Sequence, residues 1–446
     1  MGLVVCLSVY HLQDSPRTWF DEGIYLSLAK NVAQHGVYGM FSAPNTIIPT
    51  DAITVGYPVI FPLAAMLYLF GSSMLVARLF AIAWIFALFV VVYRYVSEKV
   101  NAKAGLLAIA FLAVFSPLYG NGKNVLGEVP GLVFVFVSVW AYERLSASSR
   151  LRYAIISGSA AALAAATKPI FLPFLAFFGL YTVIAWYRRA ITWQQFGSMW
   201  GSGVLFFGLW IVTQFSRATD VAFVWAHYTN PYNVSDPWSH ALSNAWLFVT
   251  DFSPAHALFV FLVSIISLWM YRRKLGTLAP LFLFATLVLV NFLKSPPWYR
   301  YFFVAHAILI VVSCIAWERF ITTFRHRVFF GSVLGIFLVS QFYYIVTHID
   351  RMFYPPWREV RAIIAQSSER IFFVNVPEGE FFARTRDYAQ YLKIREGLVY
   401  GAEQLPLLGE YSLIVTRDSA EDVAFVRGMV PSYRERHIGN YFIFEK

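Results

Sequence analysis

The residues of this chain that could do chemistry are few, because apolar residues make up 59% of its 446 residues and charged residues only 13%. Ionisable groups at or near a bilayer are costly and are functional candidates by default. Two adjacent carboxylates, Asp21 and Glu22, stand where a helical stretch begins, and a third, Glu128, precedes an apolar run. Such a carboxylate can act as a general base or bind a hard cation such as Mg²⁺ or Mn²⁺.

Two cations stand in comparable places. Lys168 follows an Ala-rich run, within Ala-Ala-Thr-Lys-Pro, and Arg300 precedes an apolar run, within Pro-Pro-Trp-Tyr-Arg-Tyr. An ammonium or guanidinium group at the membrane edge can anchor a phosphate through charge-assisted hydrogen bonds. Lys123, between two apolar runs, and His256, in Asp-Phe-Ser-Pro-Ala-His, are weaker candidates for the same site.

Each candidate also has a purely structural interpretation. Asp21, Glu22 and Glu128 could cap helices and complement their dipoles, since acidic residues are favoured in a first helical turn. Lys168 could snorkel, with its ammonium among the lipid headgroups, and Arg300 could form an ion pair with an outer acid. The residues by themselves leave both interpretations open.

Apolar runs recur along the chain at about the length needed to cross ~30 Å of hydrocarbon. They predict an α-helical polytopic membrane protein rather than two or three soluble domains. The first run is an exception, because its helix would rise only ~18 Å; either the chain starts upstream of Met1, or this helix is truncated or sunk within the bundle. We predict eleven membrane segments, at 1–12, 72–96, 104–119, 129–145, 153–167, 169–187, 196–215, 254–271, 278–293, 300–317 and 328–347.

The loops between these segments alternate in charge. One set is short and basic, and by the positive-inside rule it is cytoplasmic. The N-terminus is then cytoplasmic and the C-terminus external, and all the acidic and basic candidates named above fall on the external face of a cell membrane. The predicted cytoplasmic clusters are Arg94/Lys99/Lys103, Arg144/Arg150/Arg152, Arg188/Arg189, Arg272/Arg273/Lys274 and Arg319/Arg325/Arg327.

Two external parts are large. The first loop, 13–71, contains a helical stretch from Asp21 to Gln34 and an apolar stretch from Tyr57 to Phe70, which we interpret as an interfacial helix because counting it as a span would invert the alternation of basic loops. Residues 1–347 then form a membrane domain, and 348–446 form a small external α/β domain. Its predicted strands are Ile371–Val376, Ser412–Val415 and Tyr441–Glu445, and its predicted helices are Glu359–Gln366, Glu380–Leu392 and Ala420–Met429.

Several other classes of function are disfavoured. The net charge of +10 could suggest nucleic acid, but much of it lies in the short clusters between apolar runs, so we expect no nucleic-acid partner. Cys6 and Cys314 lie in apolar segments and form no metal or disulfide pattern. The sequence has no internal repeat of the kind that many transporters carry, and no Gly-rich nucleotide loop stands where a nucleotide sugar would need one.

The candidate residues lie in motifs that resemble those of GT-C glycosyltransferases. Leu-Gly-Glu-Val-Pro at 126–130 is similar to the second acidic motif of that superfamily, and Thr167-Lys168-Pro169 is similar to its Thr-Lys-Pro/Gly motif. Arg300-Tyr301 resembles an Arg-Tyr pair that opens a late helix. The nearest branch is that of protein O-mannosyltransferases and lipid A aminoarabinose transferases. The signature of its first loop, Asp-Glu-x-x-Tyr-x-x-x-Ala-(x)6-Gly-x-Tyr, corresponds here to Asp21, Glu22, Tyr25, Ala29, Gly36 and Tyr38.

The resemblance covers nearly the whole chain and implies a transferase that takes a sugar from a polyprenyl-phosphate donor lipid to a hydroxyl of a glycan, lipid or protein. It implies that Asp21 is the general base and that Glu22 orients the acceptor or assists. Lys168 and Arg300 would stabilise negative charge on the leaving phosphate. A divalent metal cation held by Asp21 and Glu128 is the alternative.

One region departs from the family pattern. Where the aminoarabinose transferases carry a Glu-Lys-Pro-Pro-like motif, this chain has Thr54-Val55-Gly56-Tyr57-Pro58. The difference removes a cation and argues against modification of lipid A. A secondary transporter and a lipid-linked glycan polymerase or ligase are the alternative functions.

Overall fold

The computed structural model of the protein describes most of the chain. Among the predicted cytoplasmic residues, Arg273, Lys274 and Arg325 lie outside the described residues. The described residues are 2–51, 53–215, 219–229, 236–270, 272, 275–296, 299–323, 327–348, 354–384, 387–395 and 398–446.

The first part of the chain forms three helices and a two-stranded hairpin. Their bounds are α1 Gly2–Val9, α2 Phe20–His35, β1 Met40–Ala43, β2 Thr46–Ile48 and α3 Tyr57–Phe70. The helix predicted at Asp21–Gln34 is confirmed, and it ends where Gly36 adopts the left-handed conformation, with φ of 66°. The hairpin was not predicted. The segment predicted at 1–12 forms only an eight-residue helix, with Val4 and Leu7 buried in the main core.

Seven helices follow in the middle of the chain. They are α4 Met74–Lys99, α5 Ala102–Ala113, α6 Pro117–Gly120, α7 Glu128–Ser148, α8 Leu151–Thr167, α9 Leu172–Tyr187 and α10 Trp193–Gln214, with a 3-10 turn at Pro169–Phe171 before α9. The predicted segment 104–119 is not one helix, because α5 ends at Ala113 and Pro117 starts the short α6. A proline lacks the N–H group that a continuing helix would need.

Six further helices complete the apolar part. They are α11 Val221–Thr229, α12 Pro237–Thr250, α13 Phe252–Met270, α14 Leu278–Lys294, α15 Phe303–Thr323 and α16 Arg327–His348, with a 3-10 turn at Tyr299–Tyr301 before α15. Neither α11 nor α12 was predicted. Among the described residues, six helical stretches are long and apolar enough to span a membrane, namely α4, α7, Pro169–Tyr187, α10, α13 and α16. A multi-pass protein is confirmed, and the number eleven stays a prediction.

The helix α7 runs between two groups of helix ends. Near its C-terminal end, the Glu143 carboxylate lies 2.5 Å from Lys99 Nζ and accepts a hydrogen bond of 2.6 Å from the Thr277 hydroxyl. The side-chain amide of Asn101, two residues after Lys99, donates a hydrogen bond of 2.8 Å to Glu318 Oε1. These contacts bring together the C-terminal ends of α4, α7 and α15 with the N-terminal ends of α5 and α14. The N-terminal end of α7, with Glu128, lies at the opposite end of the bundle.

The end of the chain forms a mixed sheet with helices on both faces. Its elements are α17 Pro355–Gln366, β3 Ile371–Val374, α18 Pro377–Phe382, β4 Tyr388–Arg395, β5 Leu398–Tyr400, β6 Leu413–Arg417, α19 Ala420–Met429, β7 Arg434–Ile438 and β8 Tyr441–Glu445. The strand order is β5-β4-β3-β6-β8-β7, with β3 parallel to β4 and β6. Successive residues of β3 face opposite layers, so Phe373 packs in the core with α17 and Phe372 in the core with α19. We call this unit the C-terminal sheet.

The helix predicted at Glu380–Leu392 is wrong, whereas the other predicted strands and helices of this region are present. The stretch divides into α18 and the strand β4. Tyr388, Ala389 and Gln390 are all buried, because β4 lies between β3 and β5 with both faces covered, and such tertiary burial overrides local preference. The strand β7 was missed because its residues Arg434–His437 are exposed, which is typical of a charged edge strand.

One face of α2 is covered by the C-terminal sheet. The Ser27 hydroxyl donates to the carbonyl of Pro377 at 3.3 Å. The Lys30 ammonium donates to the carbonyls of residues 380, 381 and 383 at 2.9, 3.3 and 3.0 Å. A Cβ atom on Gly23 would lie 2.4 Å from the backbone nitrogen of Glu378. Only glycine therefore allows α18 to approach α2 this closely.

Candidate active site

The first acid–cation pair joins α2 to the 3-10 turn before α15. Asp21 lies in the first turn of α2, and its Oδ2 accepts a hydrogen bond of 2.7 Å from Arg300 Nη1. The guanidinium lies 5.6 Å from the centre of the Trp19 ring and also donates to the Tyr301 hydroxyl at 3.0 Å. The Asp21 side chain stays 29% exposed, so a small molecule can still reach its carboxylate.

The second acid–cation pair joins α7 to α8. Glu128 is the first residue of α7, Lys168 directly follows α8, and Glu128 Oε1 lies 2.6 Å from Lys168 Nζ. The ammonium also donates to the carbonyl of Leu126 at 3.1 Å. Gly127 between them has φ of 88°, and a Cβ there would lie 3.3 Å from the Thr167 carbonyl. The glycine thus permits the turn that brings the two helix ends together.

The buried phenol of Tyr25 lies within the electrostatic reach of both pairs. Tyr25 follows Asp21 by one helical turn on the same face of α2, and its hydroxyl lies 2.6 Å from Thr54 Oγ1. Burial raises the pKa of Tyr25 well above its ordinary value. The negative charges of Asp21 and Glu128 raise this pKa further, whereas Arg300 lowers it. Charges from both pairs therefore act on one buried phenol.

Glu22 points elsewhere, into a closed network with a residue that sequence reasoning missed. Its Oε2 accepts a hydrogen bond of 3.0 Å from Arg78, and its Oε1 accepts one of 3.0 Å from the Val125 N–H. Arg78 is fully buried and also donates to the Pro16 carbonyl at 2.9 Å and to Asn124 Oδ1. Burial raises the pKa of Glu22, and the Arg78 charge opposes this. A lone arginine early in a predicted membrane segment was the signal that could have revealed the pair.

Lys123 and His256 lie beside the two pairs rather than in them. The Lys123 ammonium donates to the Tyr10 carbonyl at 3.1 Å, and burial, together with the Arg78 charge, lowers the pKa of Lys123 to about 7. His256 Nδ1 lies 2.7 Å from His306 Nε2, and His306 Nδ1 lies 2.6 Å from the Tyr299 hydroxyl. His256 therefore reaches the turn that carries Arg300 only through two other side chains.

The two carboxylates predicted to bind a metal lie in two different ion pairs. Asp21 and Glu128 each form a close ion pair with a protein cation. Within the described part of the chain, no group of three or more His, Cys, Asp or Glu side chains is arranged to hold a metal ion. A divalent cation held by Asp21 and Glu128 therefore stays a prediction.

A large cavity lies at the other end of α2. Its volume is about 1070 Å³, and its walls include Lys30, Arg361 and Arg384 but no member of the two acid–cation pairs. Lys30 lies ~14 Å from Asp21 along the helix axis. We take the acid–cation pairs as the candidate reaction centre, because they combine a partly exposed carboxylate with two cations, whereas among the described residues no carboxylate lines the cavity.

The fold is similar to that of known glycosyltransferases. The crystal structure of ArnT from Cupriavidus metallidurans bound to undecaprenyl phosphate matches with a TM-score of 0.67 and 12% identity, over 99% of this chain and 96% of that one. The Archaeoglobus fulgidus oligosaccharyltransferase AglB, in complex with an inhibitory peptide and a dolichol-phosphate, matches with a TM-score of 0.57 and 12% identity, over 99% of this chain and 73% of that one. The chain has the GT-C fold. The resemblance drawn from the motifs is thereby confirmed at the level of the fold.

A family model also matches part of the chain. The model for dolichyl-phosphate-mannose-protein mannosyltransferase matches residues 58–214. This range includes Glu128 and Lys168 but neither Asp21 nor Arg300. The inclusion of the Asp21–Arg300 pair in the candidate site therefore depends on the fold and the motifs. No curated protein matches the chain in sequence.

Proposed function

We propose that the protein is a membrane glycosyltransferase that moves a sugar from a polyprenyl-phosphate donor to an acceptor hydroxyl. The observation that carries the proposal is the presence of the Asp21–Arg300 and Glu128–Lys168 pairs, with charges from both acting on the buried Tyr25, in a GT-C fold. One pair supplies an accessible carboxylate, and both supply a cation at the end of an apolar helix. The related structures of ArnT and AglB hold undecaprenyl phosphate and dolichol-phosphate, which are the leaving groups of such a reaction.

The chemistry of transfer suits these residues. The acceptor oxygen forms a bond to the anomeric carbon while the bond from that carbon to the phosphate oxygen breaks. The electron pair of the broken bond leaves with the polyprenyl phosphate, and the acceptor hydroxyl gives its proton to a carboxylate. Asp21 takes this proton, because its side chain stays partly exposed and Arg300 holds its carboxylate in place.

The donor phosphate gains negative charge as the bond breaks, so cations placed in advance lower the barrier. Lys168 and Arg300 supply these cations in the place of a metal held by Asp21 and Glu128. Each already bonds a protein carboxylate, which fixes its position before the donor arrives. The polyprenyl tail lies in the bilayer between the apolar helices.

Glu22 and Glu128 act as positioning residues in this scheme. Glu128 holds the Lys168 ammonium. Glu22 ties the start of α2 to Arg78 in α4 and to the backbone of Val125. A buried carboxylate with its oxygens bonded to protein groups orients the neighbouring Asp21 without touching substrate.

The reaction centre faces the external side of the membrane in this proposal. The basic residues of α4 and α7 gather at the end of the bundle opposite Glu128, as the positive-inside rule requires of a cytoplasmic face. Reporter fusions after Arg152 and Arg189 should therefore be cytoplasmic, and fusions after Asp51 and Lys446 external. An external reporter at Arg152 would contradict this orientation.

The proposal is tested with the purified full chain in nanodiscs. We expect saturable binding of undecaprenyl phosphate, and release of undecaprenyl phosphate when one member of a panel of polyprenyl-phosphate sugars is supplied with an acceptor. Neutral undecaprenol is the matched control, since it has the tail without the phosphate. Equal binding of undecaprenol and undecaprenyl phosphate would contradict a phosphate site, and transport of the donor without cleavage would favour the transporter alternative.

A further inference from the structure

The helix α2 presents two different faces near its start. Asp21 and Tyr25, one turn apart, point toward the two acid–cation pairs. Phe20, Gly23 and Ser27 lie on another face, at the three- and four-residue spacing of a helical stripe, and contact the C-terminal sheet. The start of α2 is therefore shared between the apolar bundle and the C-terminal sheet.

A third arginine lies on the sheet side of this helix. Arg417 is the last residue of β6, and its guanidinium lies 5.1 Å from the centre of the Phe20 ring. Its Nη2 donates to Glu378 Oε1 at 2.7 Å, while 34% of the side chain remains exposed. Its Nε is buried and has no hydrogen-bond partner among the described residues. One nitrogen of the guanidinium group is thus held by a protein carboxylate, while the side chain stays partly exposed to solvent.

The partner that fixes Arg417 is itself held rigidly. Glu378 is fully buried, and its Oε1 also accepts a hydrogen bond of 3.0 Å from the Tyr441 hydroxyl. Its backbone lies against Gly23 so closely that any side chain there would clash. Arg417 is therefore oriented at the start of α2 by packed elements, unlike an arginine that moves freely on a surface.

The charges around Arg417 include the proposed base. Burial acts to lower the pKa of Arg417, but the negative charges of Glu378 and Asp21 raise it above its ordinary value. Asp21 therefore bonds Arg300 of the bundle, while Arg417 of the sheet lies against the ring of the preceding residue, Phe20, and feels the charge of Asp21. An anion that approached Asp21 from the sheet side would meet a guanidinium.

The donor phosphate and the acceptor lie on opposite sides of the anomeric carbon during the proposed reaction. In the proposed function the donor phosphate lies at Lys168 and Arg300, at the ends of apolar helices. An acceptor that attacks the anomeric carbon comes from the face opposite the leaving group. The C-terminal sheet covers a face of α2 different from the one that bears Asp21 and Tyr25, so its cation is available to the acceptor rather than to the phosphate.

We propose that Arg417 binds an acidic group on the acceptor, so that the C-terminal sheet completes the acceptor side of the reaction centre. The inference rests on the proposed function and adds a substrate class to it, namely a hydroxyl-bearing acceptor with a carboxylate or phosphate near the hydroxyl. The planar fork of an arginine suits such groups, because it makes two parallel hydrogen bonds to them.

The test measures binding of two probes to the full chain in nanodiscs. Hexyl β-glucuronide carries a carboxylate, and hexyl β-glucoside has the same tail and ring without it. We expect the protein to bind the glucuronide at least about tenfold more tightly, which corresponds to about 1.4 kcal/mol for a charge-assisted contact. In Arg417→Ala this preference should disappear, and Arg417→Lys should keep only part of it.

Controls separate this inference from loss of folding. Arg427→Ala removes another arginine of the C-terminal sheet, which pairs with Glu435 at 2.8 Å, and should keep the preference. Because Arg417→Ala leaves the buried Glu378 unpaired, the double variant Glu378→Gln/Arg417→Met provides a second test without a buried charge. It should melt near the wild-type temperature and still lack the preference.

The outcomes distinguish the inference from the proposed function. Equal binding of the two glycosides by the wild type, or an unchanged preference in both Arg417 variants, would overturn the inference. A loss of undecaprenyl phosphate binding in Arg417→Ala would place this arginine on the donor side and would also overturn it. If the wild type failed to bind undecaprenyl phosphate at all, the proposed function would fail, whatever the glycosides showed.

Discussion

The two ends of α7 carry the same kind of ion pair in different surroundings. At its start, Glu128 lies 2.6 Å from Lys168, and near its end Glu143 lies 2.5 Å from Lys99. The Glu143–Lys99 pair joins α7 to α4, and an ion pair between Arg144 and Glu98 joins the same two helices. Glu128 of the Glu128–Lys168 pair and both members of the Asp21–Arg300 pair influence the pKa of the buried phenol of Tyr25.

The comparison shows that an ion pair by itself does not indicate a reaction centre. The pairs at the basic end connect only α4 and α7, and they repeat one structural contact. The pairs at the other end involve acids and cations from four elements, and charges from both pairs act on the buried phenol of Tyr25. Polar contacts join several helix ends at the basic end as well, but the ion pairs there join two helices. The number of elements that contribute charges therefore distinguishes the two ends of the bundle, and variants at each end test whether this difference is functional.

The largest effect is expected from Asp21→Asn. Loss of a general base should lower the rate of sugar transfer by roughly two to four orders of magnitude, while binding of undecaprenyl phosphate survives. The matched control at the other end is Glu143→Gln, which should transfer at a near-normal rate. Transfer rates are measured by release of undecaprenyl phosphate. Near-normal turnover in Asp21→Asn, with only a lower melting temperature, would assign this residue a capping or pairing role.

A large effect on stability is expected from Arg78→Met. This change leaves Glu22 charged and buried without its partner, which costs about 3–5 kcal/mol in comparable cases. Thermal unfolding in nanodiscs measures the loss. The double variant Glu22→Gln/Arg78→Met should recover much of it, because the buried charge is then gone. An unchanged melting temperature in Arg78→Met would show that this pair, although at the site end, does not stabilise the fold.

A smaller effect is expected from Lys168→Ala. Loss of one charge-assisted contact of roughly 1.5–3 kcal/mol should weaken undecaprenyl phosphate binding by roughly 10- to 150-fold. Lys99→Ala removes the corresponding lysine at the other end of α7 and should leave this affinity unchanged. If both variants bound the lipid equally well, the comparison between the two ends would lose its functional meaning, and Lys168 would be assigned to the membrane interface.

The last expected effect is a dependence of stability on pH that involves Lys123. Burial, together with the Arg78 charge, lowers the pKa of Lys123 to about 7 from an ordinary value of 10.5. Between these values the unfolded chain binds more protons than the folded one, so stability should rise as the pH rises from about 7. Lys123→Met should flatten this rise in the melting temperature. The same slope in both proteins would assign the dependence to other groups.

Much of the site was predictable because its residues are local exceptions. Asp21 stands out as an acid at the start of a helix between apolar runs, and Lys168 as a single cation after an Ala-rich run. The cost of charge near a bilayer made both visible. Arg78 was visible for the same reason but was absorbed into a predicted membrane segment. Arg417 gave no signal, because a basic residue at the end of a strand in a polar region is ordinary.

The prediction of the fold failed where burial depends on distant partners. The helix assigned to Glu380–Leu392 ends at Phe382, and the stretch continues into the strand β4, which lies between β3 and β5. The break of the segment 104–119 at Pro117 follows a local rule and could have been read from the sequence. A helix break depends on neighbouring residues, whereas strand pairing depends on residues that are remote along the chain.

The sequence by itself determined the multi-pass character, the helix that begins at Phe20, and the set of charged residues available for chemistry, since hydropathy and the cost of membrane charge act on each segment separately. Only the tertiary structure decided which charges meet. Arg300 lies 279 positions from Asp21 along the chain, and Asp21 and Glu22, adjacent in sequence, bond to different arginines. The physical reason is that successive residues of a helix point about 100° apart, so the packing around α2 gives each carboxylate a different partner.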